Sequence, residues 1–318
     1  MARILTLTLN PALDLTLRLA RLEPGQVNRS LEQASHAAGK GLNVAQVLAD
    51  LGHGLTVAGF LGVDNAEAFE ALFARRGFVD AFIRVPGETR SNIKLAEADG
   101  RITDINGPGP LVSAMAQVEL MLRLDALVPG QDLVVVAGSL PRGVEPHALT
   151  DLINRIQGHG LKVALDTSGE ALRAGLLATP WLIKPNVEEL EALCERDLSS
   201  PAAQRQEAGL LRARGIEHVV ISQGADGVSW FGPEIDLHAR PPRVRVASTV
   251  GAGDSLLAGM VHGLASGWAA DRTLRLATAI AAQAVTQVGF GIRDRAELQQ
   301  LEAAVSLTAQ PEQQEVSR

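Results

Sequence analysis

Residues 133–165 read LVVVAGSLPRGVEPHALTDLINRIQGHGLKVAL. The stretch opens at 133–137 on an unbroken apolar run with no polar alternation. A strand of that kind has no face for water and belongs to a sheet covered on both sides. Residues 145–158 then read as a helix and 161–165 as a second buried strand. Strand, helix and strand in succession imply a parallel pair joined by a helical crossover.

The same alternation extends in both directions. Toward the C-terminus a short helix leads to a strand at 181–183, followed by helices at 187–195 and 201–214 and a strand at 218–221. A hairpin is expected near 224–231, then two long alanine-rich helices at 252–266 and 271–288. Toward the N-terminus the pattern gives a helix at 112–128, a helix at 65–76 and a strand at 55–60. Before these, a helix opens at Gly39-Lys40-Gly41 with Val44, Val47, Leu48 and Leu51 on its core face, and the first strand lies at 4–9. One α/β domain over 1–310 with a mostly parallel sheet is the expectation.

Two segments do not fit a buried parallel sheet. Leu13, Leu15, Leu17 and Leu19 alternate with Asp14, Thr16 and Arg18, as in a half-buried strand. Residues 91–106 read as a hairpin turning at Asp99-Gly100. Segments 12–36 and 88–107 are therefore expected to form a small separate β-sheet, a lid over the site. The leucine face needs cover, and a second copy of the chain, in a homodimer formed through the lid, is the expected source. Residues 305–318 read as a polar, frayed tail.

Composition bounds the function. Of 318 residues 46% are hydrophobic and 20% charged, an ordinary globular balance. The net charge of −7 argues against nucleic acid or a membrane surface as a partner. No apolar run is long enough to span a bilayer, and no secretory signal pattern is expected at the start. The single cysteine, Cys194, excludes an internal disulfide and suits a reducing cytoplasm, where it reads as inert filling. The seven histidines lack metal-ligand spacing, so no zinc site is expected. Four of the 29 basic residues are lysines, Lys40, Lys94, Lys162 and Lys184. In a chain that otherwise uses arginine, a retained lysine hints at a need for a compact ammonium.

The segment Ser248-Thr249-Val250-Gly251-Ala252-Gly253-Asp254-Ser255 precedes an apolar helix. Gly251 and Gly253 let the backbone turn tightly and aim successive N–H groups at one point, and the helix start adds its positive end. This describes an anion hole for a transferred phosphate, with Asp254 at its edge as the carboxylate that takes a hydroxyl proton. It also describes a plain glycine-rich helix start. No G-x-x-x-x-G-K-[ST] loop occurs, and no G-x-G-x-x-G follows the first strand, which weakens a nicotinamide reading.

Lys184-Pro185-Asn186-Val187-Glu188-Glu189 leaves a buried strand and opens a helix, where open parallel sheets bind ligands. Lys184 and Asn186 are candidates for the nucleotide, and Glu189 for magnesium through water, or for a simple first-turn carboxylate. Ser222-Gln223-Gly224-Ala225-Asp226-Gly227 follows another buried strand and either cradles the nucleotide, through Ser222, Gly224, Ala225 and Gly227, or only turns. On the acceptor side Asp14, Lys40, Asn43, Arg90, Lys94, Ser139 and Arg142 lie at strand ends, turns or helix starts. A carboxylate and an amide suit sugar hydroxyls, and cations suit a phosphate.

These residues together resemble the ribokinase-like (PfkB) carbohydrate kinases. The resemblance rests on Gly251-Ala252-Gly253-Asp254, on Lys184-Pro185-Asn186 with Glu189, and on Gly39-Lys40-Gly41-Leu42-Asn43-Val44-Ala45, in order along the whole chain. Thr8-Leu9-Asn10-Pro11-Ala12-Leu13-Asp14, Thr89-Arg90-Ser91-Asn92-Ile93-Lys94 and Ile105-Asn106-Gly107-Pro108-Gly109-Pro110 resemble the hexose-phosphate branch. The resemblance implies a doubly wound αβα sandwich with a β lid that often joins two subunits. It implies ATP and Mg2+, Asp254 as base, and residues 251–254 as anion hole, with Thr249 and Val250 beside the nucleotide. It also implies Asp14, Gly39, Lys40, Asn43, Arg90, Lys94 and Ser139 near a phosphorylated hexulose, fructose 1-phosphate first among the choices, while Arg142 sits at a variable position. Another hexulose phosphate, a neutral acceptor, or a nucleotide-binding regulator without turnover remain the alternatives.

Overall fold

The computed structural model describes residues 1–309. The chain enters through β1 (Arg3–Thr8) and leaves the main layer at once for β2 (Ala12–Leu19) and β3 (Glu32–Ala38). Helix α1 (Lys40–Asp50) returns to it and leads into β4 (Gly54–Gly62). After α2 (Glu67–Arg76), β5 (Val79–Asp80) and β6 (Ile83–Val85), a second excursion forms β7 (Arg90–Glu97) and β8 (Ile102–Asn106). Regular alternation follows: α3 (Ala114–Leu127), β9 (Leu133–Ala137), α4 (Pro146–Gly158), β10 (Val163–Asp166), α5 (Gly169–Leu177) and β11 (Leu182–Ile183). Helices α6 (Val187–Cys194) and α7 (Pro201–Ala213) lead to β12 (His218–Ser222), β13 (Val228–Gly232) and β14 (Ile235–Arg240). Helices α8 (Ala252–Ala265), α9 (Ala270–Ala284) and α10 (Arg295–Ala304) precede β15 (Ser306–Ala309).

The large sheet runs in the order β15-β14-β13-β12-β11-β10-β9-β1-β4-β5, with β6 also on β4. From β12 across to β5 every pair is parallel, and β13 to β15 extend the edge antiparallel. Its central strands β9 and β10 are buried along their whole length because each face is covered, whereas the edge strands β14 and β15 carry polar residues. Ile4, Val57 and Val135 join one core with Leu48, Phe69, Leu257 and Val261 from α1, α2 and α8. Leu5, Val134 and Val136 join the other with Leu124, Ile153 and Leu211 from α3, α4 and α7. This is a doubly wound sandwich. Strand order reverses between β1 and β9, which opens a crevice at their carboxyl ends.

The four remaining strands form a small separate sheet, ordered β3-β2-β7-β8. Its pairing register puts Asp14 beside Asn92, and Thr16 beside Lys94 and Lys94 beside Asp104, all on one polar face. Leu15 lies beside Ile93 and Leu17 beside Leu95 on the opposite, apolar face. The polar face turns toward the loop that leads into α8 and shares with Ser248, Val250 and Phe290 a cleft of about 530 Å³.

The C-terminal third differs most from the sequence expectation. The hairpin expected near 224–231 is the β12–β13 pair, and a further strand, β14, continues it to Arg240. The expected tail at 305–318 is corrected at its start, because Ser306–Ala309 pair with β14 as an edge strand. Residues 310–318 of that tail lie outside the described residues. The second alanine-rich helix ends at Ala284 rather than 288, and α10 was not anticipated although Asp294 caps it through the amides of Ala296 and Glu297. Among the described residues no helix is long and apolar enough to cross a membrane.

Helix α1 is buried all round from Gly41 to Leu48, not on one face, because it is wedged between the sheet and α8. Helices α8 and α9 approach closely through small residues: a Cβ on Gly259 would lie 2.5 Å from the Ala277 Cα, and one on Gly263 would lie 2.4 Å from the Thr273 hydroxyl. Gly259→Val therefore must part the two helices, at a cost of about 1–3 kcal/mol. A lowered urea midpoint is the expected result, and an unchanged one would show that this close approach does not matter.

Candidate active site

The site is assembled at the carboxyl ends of β1, β9, β10 and β11, around the point where strand order reverses. Just past β1, the Asn10 amide bridges the reversal by donating to the Ser139 hydroxyl at 3.2 Å and to the Leu140 carbonyl at 3.2 Å. Helix α1 begins directly against the same strand end. A Cβ on Gly39 would meet Thr8 Cγ2 at 2.6 Å, and one on Gly41 would meet Thr8 Oγ1 at 2.4 Å, so both positions need glycine. That approach sets Asn43, one turn into α1, over the centre of the site.

Gly251 adopts φ 81°, a left-handed conformation that costs a non-glycine residue, and α8 starts from it with no side-chain cap. No side chain caps the start of α8, where the Ala252 N–H donates to the Thr249 carbonyl at 3.4 Å, and the positive end of the helix dipole there favours an anion. Asp254, in the first turn, is 6% exposed and accepts a hydrogen bond from the Asn43 amide at 2.8 Å. Burial pushes its pKa up to about 6, helped by the negative charge of Asp166, while Asn43, Lys40 and Lys184 pull the other way. A carboxylate with its pKa near neutrality is matched to accepting a proton.

Asp166 ends β10 and is 1% exposed. Its two oxygens stand 3.1 Å from the Lys40 ammonium and 3.2 Å from that of Lys184. Burial alone would raise its pKa, but the two ammonium groups reverse this and hold it below the usual range. Burial opposes the charge of Lys40 too, yet Asp166, Asp254 and Glu189 together hold its pKa above normal. Lys184 is buried at the end of the β11 segment, and its Nζ lies 3.2 Å from where a Cβ on Gly253 would be. The ammonium therefore sits directly under the glycine run, so Lys40, Asn43, Lys184, Gly251, Ala252, Gly253 and Asp254 form one contiguous group.

The other nucleotide-side candidates lie close by. Asn186 caps α6: its side chain accepts from the Glu189 N–H at 2.6 Å, and Glu189 Oε2 accepts from the Asn186 N–H at 3.0 Å. One oxygen of Glu189 is thus engaged in the cap. Asn186 also bridges to Ser222, which brings the two loops together. In the second loop Gly224 has φ 57° and Gly227 φ 118°, and a Cβ on Gly227 would overlap the Ala239 carbonyl at 2.1 Å. Gly227 is therefore required by hairpin closure, whereas Ala225 is exposed in the turn. Thr249 and Val250 form the run into α8, with Val250 lining the cleft.

On the acceptor side, the Arg90 guanidinium donates to the carbonyls of Asn10 at 3.2 Å and Pro11 at 3.4 Å. Among the described residues no carboxylate is bound to it, and burial lowers its pKa, with Asp14 opposing. Asp14 accepts from the Asn92 amide at 3.0 Å, and its pKa is raised by burial against that bond and nearby cations. Lys94 lines the cleft but is paired across the small sheet with Asp104 at 2.8 Å. Arg142 is exposed, and its carbonyl accepts from the Val112 N–H.

Residues 7–295 match the family model described as pfkB family carbohydrate kinase. The chain belongs to this family. A 1-phosphofructokinase of Escherichia coli K12 is 47% identical over 96% of the kinase and 98% of that protein, and one of Vibrio cholerae is 46% identical over 96% and 97%. Among solved structures, phosphofructokinase-2 of Escherichia coli in complex with fructose-6-phosphate superposes with a TM-score of 0.86 at 30% identity, covering 96% of the kinase and 99% of that chain.

Sequence reasoning missed two residues of this kinase. Asp166 was not singled out, although an aspartate ending an apolar strand in a parallel sheet is a signal in itself. Asn10 was quoted only within a motif, yet it ties Arg90 to Ser139. The raised pKa of Asp254 also bears on stability. Its folded pKa of about 6 exceeds the ordinary 3.8, so the folded state is favoured by the protonated form, and that advantage is lost as pH rises through 6. Asp254→Asn should therefore melt several degrees higher than the natural enzyme at pH 8, with the gain vanishing near pH 4. A lower melting temperature at pH 8 would contradict the strained, buried charge.

Proposed function

We propose that this carbohydrate kinase transfers the γ-phosphoryl group of ATP to the 6-hydroxyl of D-fructose 1-phosphate, giving D-fructose 1,6-bisphosphate, ADP and a proton. The observation that carries the reading is the buried Asp254 carboxylate, held by Asn43 at the start of an uncapped helix. The identity to 1-phosphofructokinases supports the choice of acceptor.

In this reading Asp254 orients the attacking hydroxyl and takes its proton as the O–P bond forms. The N–H groups of residues 251–254 and the Lys184 ammonium meet the charge that develops on the transferred group. Arg90 and Lys94 supply cations for the acceptor's own phosphate, and Asp14, Gly39, Lys40, Asn43 and Ser139 surround its hydroxyls. Asn186, Ser222, Gly224, Ala225, Gly227, Thr249 and Val250 border the nucleotide.

Mg2+ would arrive with ATP. Among the described residues no group of three histidine, cysteine, aspartate or glutamate side chains forms a cage. That suits an ion held mainly by phosphates and water, with Glu189, through its second carboxylate oxygen, as the protein contact. The ion would neutralise phosphate charge.

The small sheet acts as a lid, its polar face toward the cleft. On its apolar face Leu13, Leu15 and Leu17 remain half-buried and Ile105 is 52% exposed. A second subunit's lid would cover that face, giving a homodimer in the cytoplasm. Light scattering at micromolar protein should return twice the 33.5 kDa chain mass; a monomer would sink the dimer.

ADP release with Mg-ATP and fructose 1-phosphate, fructose 6-phosphate, tagatose 6-phosphate, fructose or ribose tests the assignment. Fructose 1-phosphate should give the highest kcat/KM by a wide margin, and a different winner would redirect the acceptor assignment. Asp254→Asn should lose roughly 10²- to 10⁴-fold in kcat. Arg90→Ala should mainly raise KM for the sugar phosphate. Turnover near the natural level in the first, or an unchanged KM in the second, would remove that residue from its role.

A further inference from the structure

Asp166 has more cations than a structural ion pair requires. A buried carboxylate needs one well-placed partner, and here two ammonium groups converge on it from different elements, Lys40 from the first turn of α1 and Lys184 from the end of β11. One of them is not buried: the Lys40 side chain is 39% exposed, against 5% for Lys184. The Lys40 ammonium therefore lies on the open side of the cluster, where Asp166, Asp254 and Glu189 all act on its charge.

The two lysines also differ in what they border. The Lys184 Nζ lies 3.2 Å from where a Cβ on Gly253 would be, beside the start of α8. Lys40 lies three residues before Asn43 on α1, and Asn43 holds Asp254, the acceptor-side base of the mechanism above. Lysine stems are flexible, and each ammonium would wander without an anchor. A shared buried anchor at the end of a central strand fixes both at once.

We infer that Asp166 is a positioning residue for phosphoryl transfer: its carboxylate holds Lys184 against the anion-hole glycines and Lys40 beside the base, so that the two ammonium groups flank the path from donor to acceptor. This rests on Asp254 being the base. The charged groups facing Asp254 are Asp166, Lys40 and Lys184, with the Asn43 amide as its neutral partner. Removing Asp166 takes away a like charge and leaves both cations, so the base weakens. Removing Lys40 takes away a cation, so the base strengthens. Opposite displacements are a signature that loss of packing does not produce.

The test is the pH profile of kcat/KM for fructose 1-phosphate at saturating Mg-ATP, between pH 5 and 8.5, for the natural enzyme, Asp166→Asn, Asp166→Glu, Lys40→Met and Asp254→Asn. The natural enzyme should lose activity on the acid side near pH 6. Asp166→Asn should lower kcat roughly a hundredfold with the nucleotide KM close to natural, and move the acid limb down by roughly one pH unit. Asp166→Glu should return the limb to its natural position while recovering only part of kcat. Lys40→Met should move the limb upward. A limb unmoved in both Asp166→Asn and Lys40→Met overturns the inference. So does an Asp166→Asn enzyme that keeps its kcat and loses only nucleotide affinity. If Asp166→Asn does not fold because Lys184 is left unpaired, Lys40→Met decides: an unmoved limb refutes and an upward shift supports. An active Asp254→Asn, or a natural profile with no acid limb, fails the base assignment itself and takes this inference with it.

Discussion

Taking a carboxylate out of water costs several kcal/mol unless neighbouring groups answer its charge. This molecule does so twice, within one crevice, and answers the two differently. Asp166 receives two ammonium groups and is held firmly ionised. Asp254 receives one amide, and burial raises its pKa to about 6. The contrast leaves one carboxylate ion-paired and the other with a raised pKa. It also explains why α1, β10, the β11 loop and α8 must meet where they do, since each contributes one member of the group.

The scaffold makes that meeting possible by placing small residues where backbone must approach backbone. Gly39 and Gly41 let α1 start against Thr8, and Gly259 lets α8 lie against α9. Asn43 and Asp254 are thereby presented from two helices packed on each other. Helix α8 brings its own positive end to this cluster, with no side-chain cap over it. Stability is given up at this point, because a buried carboxylate with a raised pKa disfavours the folded state at neutral pH.

The layered fold was legible because a strand buried on both faces must be apolar throughout, as at Leu133–Ala137, and because helix periodicity is strong in α4 and α9. Strands β5 and β15 were not legible: two and four residues carry no period, and they exist through pairing with β4 and β14. In the site, the glycine run and Asp254 were read from local chemistry. The partnership of Lys40 with Lys184 was not, because it depends on Asp166, which is 126 residues from one and on a different strand from the other. Glu189 and Lys94 show the opposite limit. Their residue types suited a metal and a phosphate, and only tertiary structure reveals that a helix cap and a cross-strand aspartate already claim part of each.

The small sheet is joined to the main body by four chain crossings, because β2–β3 and β7–β8 are separate excursions from it. Those crossings are gathered at one seam: Gly39 abuts Pro11, Gly109 abuts Asn10 and Arg90, and the Gly107 N–H donates to the Ser91 carbonyl. A sheet tethered in this way does not swing on a single hinge as a flap would. Any tilt of it turns the seam, and with the seam go Asn10, Arg90 and the glycine that starts α1. Arg90 thus belongs to the seam itself, its guanidinium donating to the carbonyls of Asn10 and Pro11 where the small sheet meets the main body.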